Sequence, residues 1–172
     1  MSANANELKF IRRDRMRYEN NKLSSNLAII AIVFNCFFFI SIYGSNVGNF
    51  YYTLMMGASI VYNLLFMLIV FLVAEGSKSY HIGYSYIAIP VGILQFVRIL
   101  GYPRIAHTAT ISLADDSIVN VMGNAQFTRT VLYLCISGIC LLLSAAIGIY
   151  KCRELTSHLK ELEAASPKAD AA

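Results

Sequence analysis

Charged residues are missing from much of this chain. They make up 14% of its 172 residues, against roughly 25% in an average globular protein. Between Ser24 and Ala74 there is no Lys, Arg, Asp or Glu, whereas the stretch from Glu7 to Lys22 holds nine. Such segregation is typical of a chain that lies partly in lipid and partly in water. It argues against nucleic acid as a partner, because the basic residues border a predicted membrane segment.

Motifs for catalysis and metal binding are also missing. The sequence has no P-loop, no G-x-S-x-G, no H-E-x-x-H and no C-x-x-C pair. Its histidines, His81, His107 and His158, are predicted at different depths or on different sides of a membrane, so they cannot form one metal site. No carboxylate lies within an apolar segment, which disfavours proton coupling. We therefore expect no enzyme activity, no cofactor and no metal.

What the sequence does contain is four long apolar segments. At about 1.5 Å per helical residue, each is long enough to cross a hydrocarbon core about 30 Å thick. Short linkers join the first three, which predicts antiparallel helical hairpins. The predicted fold class is an all-α integral membrane protein with four transmembrane helices in a domain over residues 24–150. The predicted spans are residues 25–43, 51–74, 82–102 and 128–150.

The two ends of the chain are basic and flank this domain. Residues 1–23 are predicted to be a cytoplasmic interfacial segment, with a helix over 7–22 that lies on the membrane. Residues 151–172 are predicted to form a cytoplasmic helix and a loose tail. With the N-terminus inside, 11 of the 14 Lys and Arg residues are cytoplasmic. The positive-inside rule therefore predicts that both termini are cytoplasmic, in a cell that inserts the chain into its plasma membrane.

The predicted outer loop, residues 103–127, is the one long polar segment between the apolar spans. Its β-branched stretches, residues 108–113 and 118–122, flank a polar turn and predict a short extracytoplasmic β-hairpin in which Leu113 pairs with Ile118. Because an isolated two-stranded hairpin is marginal in water, it needs support from the bundle or from another protein.

Two asparagines, Asn35 and Asn63, lie near the middle of the first and second spans in similar sequence contexts. Their spacing from the helix starts predicts that they meet at similar depth. One interpretation is an interhelical hydrogen-bonded pair that fixes the register of the helices. The other is a pair of ligands that line a solute path.

A short motif, Gln-Phe-x-Arg, occurs twice in the sequence, and its two copies end at Arg98 and at Arg129. Both arginines are predicted near the outer interface, where they could serve as snorkelling anchors. Alternatively, with Gln95, Gln126 and Arg104 they could form an outward-facing basic pocket. Guanidinium groups suit phosphate or carboxylate, so its ligand would be a lipid headgroup or an anionic partner.

The fourth span carries a stripe of small residues. Cys140, Ser144 and Gly148 recur at intervals of four, so they lie on one helix face. In lipid, small residues allow helices to approach closely, which makes this stripe a predicted packing groove. It could receive a helix of the same chain or of a partner protein.

Two functions follow as expectations. The first is an accessory or scaffold subunit of a larger membrane complex, such as a transport system, without catalytic activity. The second is a small homo-oligomeric channel or carrier, with Asn35, Asn63 and the arginine pocket lining its path. Both place the chain in the lipid bilayer, with a membrane-protein partner or with further copies of itself.

Overall fold

Helices dominate the structure, a computed structural model that describes residues 2–42, 50–112 and 118–165. Four helical segments are long and apolar enough to cross a membrane, which confirms the predicted helical membrane architecture at this level. The elements in chain order are α1 Ser2–Arg15, α2 Lys22–Ile42, α3 Phe50–Lys78, α4 Ile82–Ile99, α5 Tyr102–Thr108, β1 Thr110–Ser112, β2 Ile118–Asn120 and α6 Asn124–Ala165.

The four long helices form a closed ring in the order α2, α3, α4, α6. Helices α2 and α4 each pack against both α3 and α6. Large apolar side chains point outwards from the ring: Leu64, Leu68 and Phe71 of α3 are each more than half exposed. An apolar exterior is what a helix bundle needs when hydrocarbon is its solvent, and it leaves the interior to small and polar residues.

Two apolar clusters fill the interior at different levels. One lies towards the end of the bundle that carries α1, here named the α1 end. The other lies towards the end that carries α5, here named the α5 end. The α1-end cluster contains Ala28, Ala31, Phe66, Val70, Val73, Ala74, Ala88, Leu141 and Ala145. The α5-end cluster contains Phe38, Ile42, Tyr102, Ala106, Val121, Met122 and Leu134.

A tight turn joins α3 to α4 at the α1 end. The amide of His81 donates to the carbonyl of Gly76 at 3.0 Å, and the amide of Tyr80 donates to Ser77 at 3.3 Å. These two bonds are those of a Schellman motif, in which the residue after the helix adopts a left-handed conformation. Tyr80 does so, with φ of 57°. The turn fixes α3 and α4 as an antiparallel pair.

Between α4 and α6 the structure differs from the predicted loop in two respects. Helix α5 begins at Tyr102, and the antiparallel ladder has Ser112 opposite Ile118, one residue away from the predicted register. The reason lies in α5: the amides of Val121 and Met122 donate to Ala109 and Ala106, each at 3.0 Å. The chain after β2 is thus bonded to α5 and buried over the α5 end.

Residues 113–117, which include Leu113 and the predicted turn, lie outside the described part of the chain. Met122, which was predicted to share one face of the hairpin with Ile118, is completely buried, while Ile118 is 72% exposed. Their two environments follow from the observed register and from the contacts of Met122 with α5.

Helix α6 is much longer than a single span needs. Its 42 residues extend over about 63 Å, so the part beyond Tyr150 projects from the apolar bundle as the predicted helix. Helix α1 spans Ser2–Arg15, so it both begins and ends earlier than the predicted helix over 7–22, and it docks on this projection. The Phe10 ring packs edge-on against His158 with centroids 5.1 Å apart, and Arg13 approaches the carboxylate of Glu154 at 3.7 Å.

Candidate functional site

A group of polar side chains lies inside the bundle, between its two apolar clusters. It consists of Asn35 from α2, Ser59 and Asn63 from α3, and Gln95 and Arg98 from α4, and we name it the interior polar cluster. Asn35 and Gln95 are completely buried and Asn63 is 1% exposed. Burial of so many polar groups within lipid-spanning helices is costly unless they satisfy one another.

Arg98 is the centre of the interior polar cluster. Its Nη1 donates to the amide oxygens of Asn35 and Asn63, both at 3.1 Å. Its Nη2 lies 3.3 Å from the hydroxyl of Ser59 and 3.4 Å from the carbonyl of the same residue. One guanidinium group therefore joins three helices through four oxygen acceptors.

Two aromatic rings flank the same guanidinium. Its central carbon lies 4.1 Å from the ring centroid of Phe38 and 4.6 Å from that of Tyr62. A cation over a ring face is attracted by the ring quadrupole, and the attraction is strongest when water is excluded. The rings and the four oxygens together replace the hydration that Arg98 loses in the bundle.

All of these partners are electrically neutral. No Asp or Glu of the described ranges forms an ion pair with Arg98, and the apolar segments contain none. Within the described ranges, the positive charge of Arg98 is therefore dispersed by dipoles rather than cancelled by a carboxylate. Such an arrangement can fix helix register or attract an anion, but it offers no general acid–base pair.

Three polar atoms around Arg98 have no partner among the described residues. They are Asn35 Nδ2, Gln95 Oε1 and the hydroxyl of Tyr62. The amide of Gln95 uses its nitrogen instead, which lies 3.5 Å from Asn35 Oδ1. An unused donor and an unused acceptor thus remain beside the only arginine of α4, in a completely buried setting.

The two asparagines occupy one level, but they are linked indirectly. The described residues show no hydrogen bond between Asn35 and Asn63; instead both amide oxygens accept from Arg98 Nη1. The sequence predicts the two asparagines as a pair and Arg98 as a separate interfacial residue. Ser59 is not among the predicted site residues, because its hydroxyl has no distinguishing sequence context.

The five residues of the predicted outer pocket have different surroundings. Arg98 and Gln95 point into the bundle, whereas Arg129 lines a cleft of about 210 Å³ with Ser41 and aromatic side chains of α2 and α6. Gln126 donates to the carbonyl of Ser41 at 2.5 Å, and Arg104 is exposed on α5. The pocket is not assembled as predicted, because Arg98 finds its acceptors on three helices inside the ring.

The predicted packing groove faces helices of the same chain. Ser144 is completely buried and exchanges two hydrogen bonds with Ser24 of α2, hydroxyl to carbonyl, at 2.8 and 2.7 Å. A Cβ atom on Gly148 would collide with the hydroxyl of Ser85 and lie 3.2 Å from that of Ser24. Cys140 is half-buried against the α1-end cluster.

A longer seam between α2 and α6 emerges from the structure. Thr130, Ser137, Ser144 and Lys151 are spaced by exact intervals of seven and each contacts α2 or the residue before it. A seven-residue interval returns a side chain to the same face of two helices that coil around each other. The seven-residue interval is a signal in the sequence that indicates this seam. The predicted stripe of Cys140, Ser144 and Gly148 includes only one of its residues.

The residues of the seam reach polar partners along the whole antiparallel contact. The hydroxyls of Thr130 and Ser41 lie 3.0 Å apart, and Ser137 donates to the carbonyl of Ala31 at 2.9 Å. At the α1 end the ammonium of Lys151 donates to Asn21 Oδ1 at 3.1 Å. The contact therefore combines these polar bonds with aromatic packing, in which Phe34 and Phe37 of α2 lie against Tyr133 of α6.

No protein-family model matches the chain, and no curated protein or solved structure is significantly similar to it. In the ranges that the structure describes, no three His, Cys, Asp or Glu side chains cluster as a metal site requires.

Proposed function

We propose that this chain is a multi-pass membrane protein that acts as an accessory or scaffold subunit of a larger membrane complex, without catalytic activity. The observation that carries the proposal is the coordination of Arg98. The guanidinium of this one intramembrane cation is occupied by Asn35, Asn63 and Ser59 of the same chain. A residue whose donors are used in this way holds helices together and is poorly placed to bind a passing solute.

The layers above and below the interior polar cluster support the same function. Phe38, Tyr102 and Met122 belong to the apolar cluster at the α5 end, and Phe66 and Leu141 belong to the one at the α1 end. The clefts beside Arg13, His81, Arg129 and Arg153 include neither Arg98 nor the two asparagines in their linings. Apolar layers on both sides oppose the passage of an ion or a polar solute.

A second function, a small homo-oligomeric channel or carrier, is favoured by the unpartnered atoms. Asn35 Nδ2, Gln95 Oε1 and the Tyr62 hydroxyl are polar groups that a solute could contact. For this function the α5-end layer would have to open, so that Asn35 and Asn63 line a path. Arg129 and Arg104 would then attract anions at its outer mouth.

The proposed location is the plasma membrane, with both termini cytoplasmic. The count of Lys and Arg residues carries this proposal. The contact of α1 with the projecting part of α6 supports it, because Arg13 lies 3.7 Å from Glu154 and 3.6 Å from Glu161. Such a contact requires that the beginning and the end of the described chain lie on one side of the membrane.

The two functions differ in what co-purifies with the protein and in what crosses a membrane that contains it. The chain is tagged, extracted in mild detergent and analysed by mass spectrometry and light scattering, and the pure protein is reconstituted in liposomes for flux of anions and cations. A scaffold subunit is expected in a complex of fixed stoichiometry with a different membrane protein, and its liposomes remain tight. A self-assembled oligomer that conducts, with flux abolished by Asn63→Leu, would instead establish the channel.

A further inference from the structure

A cleft of about 550 Å³ lies where α6 leaves the apolar bundle and meets α1. Its lining comes from both helices and consists of Arg13, Ala146, Ile149, Tyr150, Arg153 and Glu154. The α6 members recur at intervals of three and four, so they form one stripe on the outer face of that helix. The cleft therefore runs from the apolar span into the charged projection.

The side chains of this stripe change from apolar to charged within two helical turns. Ala146 and Ile149 belong to the apolar span, whereas Arg153 follows Ile149 by four residues. From Ala146 to Arg153 the rise is about 10 Å. This rise is enough to cross the headgroup region of one leaflet, which is about 5–8 Å thick, so a ligand that matches the cleft has an apolar tail joined to a polar head.

The polar part of the cleft has an unpaired positive charge. Arg13 is held by Glu154 and Glu161, but Arg153 has no carboxylate partner among the described residues. The one hydrogen bond that the described residues give its guanidinium goes to the neutral hydroxyl of Tyr86, at 3.2 Å. Arg153 is also an exposed residue, which leaves its remaining donors available to a ligand.

A neighbouring cleft of about 300 Å³ shares Arg153 and adds more positive charge. Its other lining residues are Ile82, Thr156, Ser157 and Lys160. Lys160 forms no ion pair within the described ranges, and Thr156 and Ser157 supply hydroxyl groups. Arg153 thus stands between two clefts whose polar ends together favour an anion.

We propose that this region binds an anionic glycerophospholipid, with its phosphate at Arg153 and an acyl chain over Ala146 and Ile149. Lys160 adds charge beside the phosphate and repels the ammonium of a zwitterionic headgroup. The proposal rests on insertion of the bundle into a membrane, which is part of the proposed function. Its consequence is that a bound lipid fastens α1 and α6 to the same patch of bilayer.

The test uses the full chain, purified in uncharged detergent, with phosphatidylglycerol and phosphatidylcholine as probes. Native mass spectrometry counts bound lipids, and the shift of the thermal midpoint reports the affinity. Phosphatidylglycerol is expected to bind and to raise the midpoint more than phosphatidylcholine. Arg153→Gln removes a charge-assisted contact and is expected to weaken phosphatidylglycerol binding about tenfold; Lys160→Gln should weaken it less.

Arg12→Gln is the matched control, since Arg12 is exposed on α1 and lines neither cleft. It removes the same charge and should leave binding unchanged. Equal binding of both lipids, equal binding by wild type and Arg153→Gln, or equal loss in Arg12→Gln would each overturn the site. Free glycerol phosphate should give no shift, and a shift equal to that of the lipid would overturn the role of the apolar stripe.

A separate measurement tests membrane insertion: resistance to alkaline carbonate extraction is measured on membranes that contain the wild type or one of the three variants. Extraction of the wild type would overturn membrane insertion itself, and with it the proposed function. A protein that resists extraction but does not discriminate between the lipids would overturn the lipid site alone.

Discussion

Arg98 and Asn35, 63 residues apart in the sequence, are joined by a 3.1 Å hydrogen bond inside the helix bundle. The same guanidinium nitrogen reaches Asn63 at an equal distance, so one side chain of α4 is bonded to both α2 and α3. In hydrocarbon, where apolar contact alone discriminates poorly between helix registers, a polar junction of this kind selects one arrangement.

Replacing Arg98 should destabilise the bundle even when the charge is kept. Arg98→Lys retains a cation but loses the planar fork, so it cannot serve Asn35, Asn63 and Ser59 together. We expect the free energy of unfolding in detergent to fall by about 1–3 kcal/mol for lysine and by at least as much for alanine. Equilibrium unfolding in a denaturing detergent, followed by circular dichroism, measures both.

Arg129→Lys is the matched control for that change. Arg129 lines an open cleft at the surface of the bundle, where lysine can take the same place and keep its charge in the interface. Its unfolding free energy should equal that of the wild type within about 0.5 kcal/mol. Equal losses for the two lysine variants would show that Arg98 is no more than an interfacial anchor.

The asparagines should depend on each other through the shared donor. Asn35→Leu and Asn63→Leu are each expected to lower the unfolding free energy by about 1 kcal/mol. The double variant should lose less than the sum, because both amides accept from Arg98 Nη1. Asn26→Leu, at an exposed position of α2, is the control and should be neutral. Strict additivity of the first two changes would contradict the shared junction.

Two glycines should respond in opposite ways to valine. Gly148 leaves no room for a side chain between α6 and the serines of α2 and α4, whereas Gly57 has open space around its Cβ position. Gly148→Val is expected to cost about 1–3 kcal/mol through overpacking. Gly57→Val should be neutral or slightly stabilising, because glycine is the poorer helix former. A tolerated valine at Gly148 would mean that α6 does not approach its neighbours as described.

The helical architecture could be predicted from the sequence because one physical rule dominates it. A backbone in hydrocarbon must satisfy its own hydrogen bonds, so long apolar runs become helices whatever their other contacts. The bounds of α4 show the limit of this rule. Its predicted end was Tyr102, yet α4 ends at Ile99 and α5 begins at Tyr102, since Pro103 fits the first turn of a new helix.

The candidate site was harder to predict because it depends on the direction of one side chain. The sequence placed Arg98 near an interface and Asn35 and Asn63 at mid-span, and an arginine at that depth can turn to the interface or into the bundle. Which direction is preferred depends on acceptors from two other helices, including the unremarkable Ser59. Neither hydropathy nor spacing contains that information.

The orientation of the chain leads to a labelling prediction. Ser157→Cys, on the projection of α6, should react with an impermeant maleimide only when the cytoplasmic side is open. Thr108→Cys, at the exposed end of α5, should react from outside in intact cells. Label in excess of that on the wild type is compared, because the chain already has four cysteines. Labelling of Ser157→Cys in intact cells would reverse the proposed topology.

The docking of α1 on α6 should depend on Phe10. Its ring packs edge-on against the buried His158, with 5.1 Å between the two centroids. Phe10→Ala is expected to release the helix and to speed tryptic cleavage at Arg15 and Arg17 in the detergent-solubilised protein, because local opening governs proteolysis of such elements. Leu8→Ala, which removes a side chain that is 64% exposed, should leave the cleavage rate at the wild-type value. The proteolysis rate is followed by mass spectrometry of the released peptides, and equal rates for Phe10→Ala and Leu8→Ala would mean that α1 does not depend on the contact with His158.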